Sequence, residues 1–589
     1  MKQFWNIVIG SFVGVWIALL LFSVLSFFMS FAFMGTLSML GKSSVTEITD
    51  NSILKLDLGC TVDERASEDD FVSTLLNDSP APTGLDEILH AIETAKQDSR
   101  ISGIYIECNG ISAGTASLYE IRKALADFKK ESGKFIYAYG DNMSQADYYL
   151  ASAADSIFIN TIGSLDLRGL AVSVPFFKKA LDKIGVEMQI VRVGTFKSAV
   201  EPYILTEMSN ANRLQYSTFV NNIWGNMTET MSLSRQITPE RINEMTDSIV
   251  FLQTPEYLVA NKLIDGTCYK HEIENKLKKT IGIDNDDDIN FLSVKDLSQE
   301  LDYNGNGKEI AVIYAVGEIY DGGDEGINSE SLSKTILEIA DNDNIAGVVL
   351  RVNSPGGSAY GSEQIWNALQ QIKKAGKPLA VSMGDMAASG GYYISCGADR
   401  IFAEPLTLTG SIGVFGMIPC FQELLEDKIG ITQSVVKTNS NSEFPMITEE
   451  MTPSQAAAMQ RMVNNTYELF VKRCAEGRNI PTDSIKMIAE GRVWDGISAK
   501  NIGLIDEFGN LNDAINWVAE KANVQDYSIS VAPEMDDFFT KYISKYMNHK
   551  IDVKMEKELG MLYHYNKELQ RILKRGHILC LAPEVVTVN

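Results

Sequence analysis

The sequence predicts an α/β protein built twice in tandem, and three observations carry that prediction. Ile101 to Leu170 and Ile345 to Val414 align without a gap at a constant offset of 244, and 17 of the 70 paired positions are identical. In both copies apolar runs of strand length alternate with helical segments of about 10–15 residues, the pattern of parallel sheets covered by helices. At 589 residues the chain has room for at least two domains, so core burial is not limiting.

In chain order, Gln3 to Leu40 contains no charged residue and is dense in Phe, Leu, Ile, Val and Trp, whereas about 20 apolar residues suffice to cross a bilayer. Residues 1–41 are therefore expected to form a transmembrane anchor, since a cleaved signal peptide would have an apolar core of only about 7–15 residues. Flanking charge, Lys2 against Lys42, Lys55 and Arg65, leaves its orientation open. Ser52 to Leu58 then alternates like a strand, and Ile310 to Val316 is its apolar counterpart at the head of the second copy. Each copy continues with a helical stretch (Leu85 to Lys96; Leu332 to Ala340) and a buried strand (Gly103 to Glu107; Gly347 to Val352). A helix (Leu118 to Lys130; Glu363 to Lys374) and another strand (Phe135 to Tyr139; Leu379 to Met383) follow.

The repeat predicts a first domain over residues 50–282 and a second over 309–531. Between them, 283–308 carries Asp284, Asp286, Asp287, Asp288 and an Asn304-Gly305-Asn306-Gly307 turn cluster, and reads as an acidic linker. Residues 532–589, with Tyr, Lys and Met at helical spacing and no counterpart in the first copy, are expected to be a helical extension packed on the body or on another subunit. The net charge of -25 argues against a nucleic-acid partner, because phosphate binding needs a basic stripe. Seven scattered cysteines without a C-x-x-C pair, and five histidines outside the duplicated blocks, give no metal-ligand spacing, and no cofactor is expected.

The chemistry lies where the copies differ. Asn353-Ser354-Pro355-Gly356-Gly357-Ser358 follows a buried strand, and glycines there would let a carbonyl approach backbone amides, although such a turn is often only a turn. Ser389, in Ala387-Ala388-Ser389-Gly390-Gly391-Tyr392-Tyr393, stands where a strand should pass into a helix; a serine there can cap the helix or act as a nucleophile beside free amides. The first copy keeps Asp141, Tyr148, Tyr149 and Asp155 against Asp385, Tyr392, Tyr393 and Asp399, yet has Gln145 for Ser389, Ile111-Ser112-Ala113 for Pro355-Gly356-Gly357 and Leu167 for Ser411. Shared residues read as scaffold and unshared ones as chemistry. A serine needs a base, and Lys197, within Gly194-Thr195-Phe196-Lys197-Ser198-Ala199-Val200-Glu201-Pro202, can serve if burial lowers its pKa from about 10.4 toward neutrality. Pseudosymmetric packing of the copies would let the serine of one meet the lysine of the other.

These motifs resemble the long, duplicated form of the signal peptide peptidase SppA (protease IV) family of membrane-anchored bacterial serine proteases, from the anchor to about Val531. The resemblance implies tandem Clp/crotonase-like β-β-α superhelix domains, with Ser389 as nucleophile, Lys197 as general base and Ser411 hydrogen-bonding the lysine amine. It places an oxyanion hole near Gly356, Gly357 and Gly390. It also implies peptide substrates, namely signal peptides left in the bilayer after preprotein processing, and a homotetramer outside the cytoplasmic membrane. Two rivals remain: a crotonase-like acyl-CoA enzyme, which would not need the anchor or the Ser389/Lys197 complementarity, and a catalytically inactive membrane scaffold, against which the intact dyad argues.

Overall fold

The computed structural model describes residues 46–65, 82–298, 307–323, 326–533 and 578–583. The expected anchor lies outside them, and among the described residues no helix is long and apolar enough to cross a membrane.

Each copy forms a mostly parallel sheet flanked by helices. In the first, the strand order is Gly266–Thr267, Ser156–Leu165, Phe135–Met143, Ile101–Glu107, Ser52–Asp57 and Phe291–Leu292. In the second it is Val493–Asp495, Leu408–Gly410, Leu379–Ala388, Ile345–Ser354, Lys308–Val316 and Tyr527–Ala532, with Arg400–Ala403 also paired to Leu379–Ala388. The strand Ile345–Ser354 buries eight of its ten residues, as a Val/Leu-rich run does when both sheet faces are covered. Helix Ala359–Lys374 begins at Ser358, whose hydroxyl accepts from the Gly361 amide, and it lays Ile365, Leu369 and Ile372 along one buried face.

Two expectations from the sequence are corrected here. The stretch 283–308 is not wholly a linker: Phe291–Leu292 pairs in parallel with Ile53 and Leu54, as Tyr527–Ala532 pairs with Lys308–Ile313, and the short helix Val294–Ser298 buries Leu297. The first domain therefore reaches at least Ser298, its last strand hidden in the sequence behind the aspartates. The chain's end is not helical where it is described: Ile578–Leu581 is a strand that enters a sheet of the body.

That sheet joins the two copies. Its order is Ile327–Asn328, Ile319–Tyr320, Gly356–Ser358, Ile578–Leu581, Val414–Cys420 and Glu187–Val193. Seven residue pairs bind Glu187–Val193 of the first copy antiparallel to Val414–Cys420 of the second, so Lys197 and Ser411 enter from neighbouring strands. Deeper in the interface, buried Arg351 of the second copy donates to Glu64 at 2.8 Å and to Glu120 at 3.0 Å of the first. Nearby, Ser117 donates to Asp385 through its amide at 2.9 Å and its hydroxyl at 2.7 Å.

Candidate active site

Strand Leu379–Ala388 gives way to helix Gly390–Ser395 through a single residue, Ser389, with φ 56° and ψ -112°. A serine at positive φ is strained by about 1–3 kcal/mol, and here the fold holds it on both sides. The Ser389 amide donates to the Gly410 carbonyl, and the Ser389 carbonyl accepts from the Tyr393 amide, both at 2.8 Å. The small neighbours serve close packing: a Cβ on Gly390 would stand 2.7 Å from Ser362 Oγ and 3.0 Å from Gly356 Cα. Ser389 occupies the N-cap position of that helix, but no backbone amide donates to its hydroxyl as a side-chain cap.

Lys197 reaches that hydroxyl from the other copy. Its Nζ lies 2.7 Å from Ser389 Oγ and 3.1 Å from both the carbonyl oxygen and the Oγ of Ser411. Lysine and both serines have no solvent exposure. Burial penalises the ammonium, which has no carboxylate beside it among the described residues, and pulls the Lys197 pKa down to about 7. Ser411 Oγ donates to the Gly491 carbonyl at 3.3 Å, which turns its lone pairs toward the amine. In the neutral state two amine N–H groups satisfy the Ser411 oxygens, and the remaining lone pair faces the Ser389 hydroxyl.

The lysine loop is clamped by a segment the sequence reading did not single out. Phe196 N donates to the Glu490 carbonyl at 2.8 Å, and Thr195 donates to the Glu490 carboxylate through its amide at 2.9 Å and its hydroxyl at 2.8 Å. Gly491 (φ 74°) packs so closely that a Cβ there would stand 2.7 Å from Lys197 Cβ. A glycine followed by Arg492-Val493-Trp494-Asp495 outside the repeat block was the only available signal.

Of the glycines expected near an oxyanion, Gly356 and Gly390 are brought together: the Gly390 amide nitrogen lies 2.6 Å from the point a Cβ on Gly356 would occupy. Gly357 follows in the edge strand Gly356–Ser358. In the first copy the equivalent place is closed. Gln145 Oε1 accepts from the amides of Arg168 at 3.0 Å and Gly169 at 2.8 Å, and Asp147 accepts from the amides of Gly110 and Ile111 at 3.1 Å each.

The structure is a duplicated α/β fold of the Clp-protease type in which a buried serine of one copy meets a buried lysine of the other. Comparison with known proteins agrees: the Clp protease family matches residues 317–405, and Peptidase family S49 matches residues 128–284 and 371–525. Protease 4 of Salmonella typhi is 34% identical over 551 residues, 90% of this chain and 88% of that protein. Protease 4 of Haemophilus influenzae is 34% identical over 515 residues, covering 83% of each, and the chloroplastic serine protease SPPA of Arabidopsis thaliana is 32% identical over 441 residues, covering 73% and 64%. The chain belongs to peptidase family S49 and is a serine peptidase acting on peptides, which removes the acyl-CoA reading.

Proposed function

We propose that the chain is a membrane-anchored endopeptidase in which Ser389 is the nucleophile and Lys197 the general base, and that it degrades signal peptides remaining in the membrane after preprotein processing. The observation that carries the dyad is the 2.7 Å contact between Lys197 Nζ and Ser389 Oγ, both wholly buried, with no histidine bonded to either among the described residues. At and above neutral pH the uncharged amine takes the Ser389 proton as Oγ attacks a peptide carbonyl. The amides of Gly357 and Gly390 receive the oxyanion, in a groove dry enough for such donors to act strongly. The ammonium of Lys197 then protonates the leaving amine, and a water deprotonated by the same amine releases the acyl group. Ser411 keeps the amine pointed at Ser389 throughout.

Signal peptides as substrates rest on similarity, since a putative signal peptide peptidase SppA of Enterococcus faecium is 31% identical over 268 residues. The apolar run Gln3 to Leu40 supports anchoring, with the catalytic domains on the extracytoplasmic face of the inner membrane and a homotetrameric assembly as in the resembled family. The anchor would raise local concentration near the bilayer rather than shape the site. A chain starting at Lys42 is expected to hydrolyse short peptides as the full chain does, yet to clear signal peptides embedded in liposomes more slowly. Equal rates on the embedded substrate would refute this role of the anchor.

A further inference from the structure

Residues 194–200, which carry Lys197, lie between the strand Glu187–Val193 and the short helix Glu201–Ile204 and belong to neither, so side-chain bonds must fix them. Gln215, on the helix Asn210–Arg235 of the first copy, has no solvent exposure, and both ends of its amide are engaged. Its Nε2 donates to the Phe196 carbonyl at 3.2 Å and to the Ser198 hydroxyl at 2.8 Å, the residues on either side of Lys197. Its Oε1 accepts from the Val493 amide of the second copy at 3.2 Å. Val493 follows the two residues that seat Ser411: the Arg492 carbonyl accepts from the Ser411 amide at 2.7 Å, and the Gly491 carbonyl accepts from the Ser411 hydroxyl at 3.3 Å. One side chain therefore spans from the lysine loop of one copy to the segment that holds Ser411 in the other.

The direction of that amide is set from behind. Glu201 is 1% exposed, and its carboxylate only accepts, taking the Ser209 amide at 3.2 Å, the Ser209 hydroxyl at 2.6 Å and Asn212 Nδ2 at 3.0 Å. Asn212 must then turn its Oδ1 to Gln215, whose Nε2 donates to it at 3.0 Å, which leaves the Gln215 oxygen for Val493. A flipped Gln215 would set its oxygen against those of Phe196 and Asn212 and its NH2 group against the Val493 N–H, leaving buried polar groups unpaired. We infer that Gln215 is a positioning residue for the general base, a tie that fixes the Lys197 loop against the Ser411 segment, and that Glu201 sets the direction of its amide through Asn212. This rests on the reading of Lys197 as the base and adds the side chains that place it.

Gln215→Met keeps the length of the side chain and removes the bonds. In the full chain, kcat for a fluorogenic peptide should fall about 10–100-fold while KM stays within about twofold. The midpoint of the kcat/KM pH profile should rise by about one unit, because water reaching a loosened amine relieves part of its burial penalty. A role in folding alone would lower the melting temperature and leave that midpoint in place. A second pair of variants retains Gln215 and reads the direction of the relay. Asn212→Asp, assayed at pH 9, sets two carboxylates face to face and should lower kcat about tenfold. Adding Glu201→Gln supplies a donor to the new carboxylate, which still accepts from Gln215, and should bring kcat back to within about threefold of native. Native kcat and midpoint in the Gln215→Met chain, or a double variant no better than Asn212→Asp alone, overturns the inference. Lys197→Ala, assayed alongside, separates the tie from the base: native turnover in that chain would remove lysine from the mechanism, whereas an inactive Lys197→Ala chain beside an unaffected Gln215→Met chain would remove the tie alone.

Discussion

At the scale of residues, the fold denies the Lys197 amine solvent, as the proposed general base requires. Between pH 7 and about 10.4 an unfolded chain would carry a proton on Lys197 that the folded chain lacks, so this group's contribution to stability rises with pH across that window. Lys197→Met should therefore raise the Tm. The gap over the native chain should narrow by about 2–3 kcal/mol between pH 7 and pH 9, read by thermal or denaturant melts at both pH values. A gap independent of pH would mean that the amine is charged when folded. Ser411 adds orientation: its two oxygens accept from the amine, and an acceptor favours the charged form. Ser411→Ala should move the midpoint of the kcat/KM pH profile below that of the native chain and lower kcat about tenfold without abolishing it, within the usual range for a general-base arrangement. An unchanged profile would reduce Ser411 to a turn residue.

At the scale of elements, the proposed catalysis depends on loops from different copies meeting at close range. Gly491 is a tight point, since any side chain there strikes the Lys197 backbone and Cβ. Gly491→Ala should cut kcat by about 10–100-fold through displacement of the amine by a fraction of an ångström, with a much smaller effect on KM for short peptides. Native kcat in that variant would show that the clamp is dispensable. The sequence singled out Ser389 and Ser411 because each stands where its counterpart in the other copy is chemically different, and Lys197 because a serine without a nearby histidine needs another base. It could not disclose Glu490 and Gly491, which act on the lysine loop from outside the aligned block, nor the strand Phe291–Leu292, two residues long behind an acidic run. The tail strand was invisible for a related reason: four residues, Ile578 to Leu581, carry no periodicity, and their partners lie more than 150 positions away.

At the scale of the whole molecule, duplication lets one site be divided between two domains, and the domains must then be docked in one register. Arg351 supports that docking, with Glu64 and Glu120 sharing its guanidinium away from solvent. Arg351→Met leaves two buried carboxylates without a cation and should destabilise the chain by about 3–5 kcal/mol, with loss of activity as the copies separate. Adding Glu64→Gln and Glu120→Gln should recover part of the stability in a thermal melt; no recovery would assign the loss to packing rather than charge. The claim on which everything else depends is that one active site is built from Ser389 of one copy and Lys197 of the other. Its most direct measurement is the rate of Ser389 acylation by an activated peptide ester, followed by intact-protein and peptide mass spectrometry from pH 5 to 9 in the native, Lys197→Ala and Ser389→Ala chains. A single adduct on Ser389 is expected, its rate rising with pH through a midpoint near 7, and none above background in either variant. An adduct on another residue, or a Lys197→Ala chain acylated at the native rate, would contradict it.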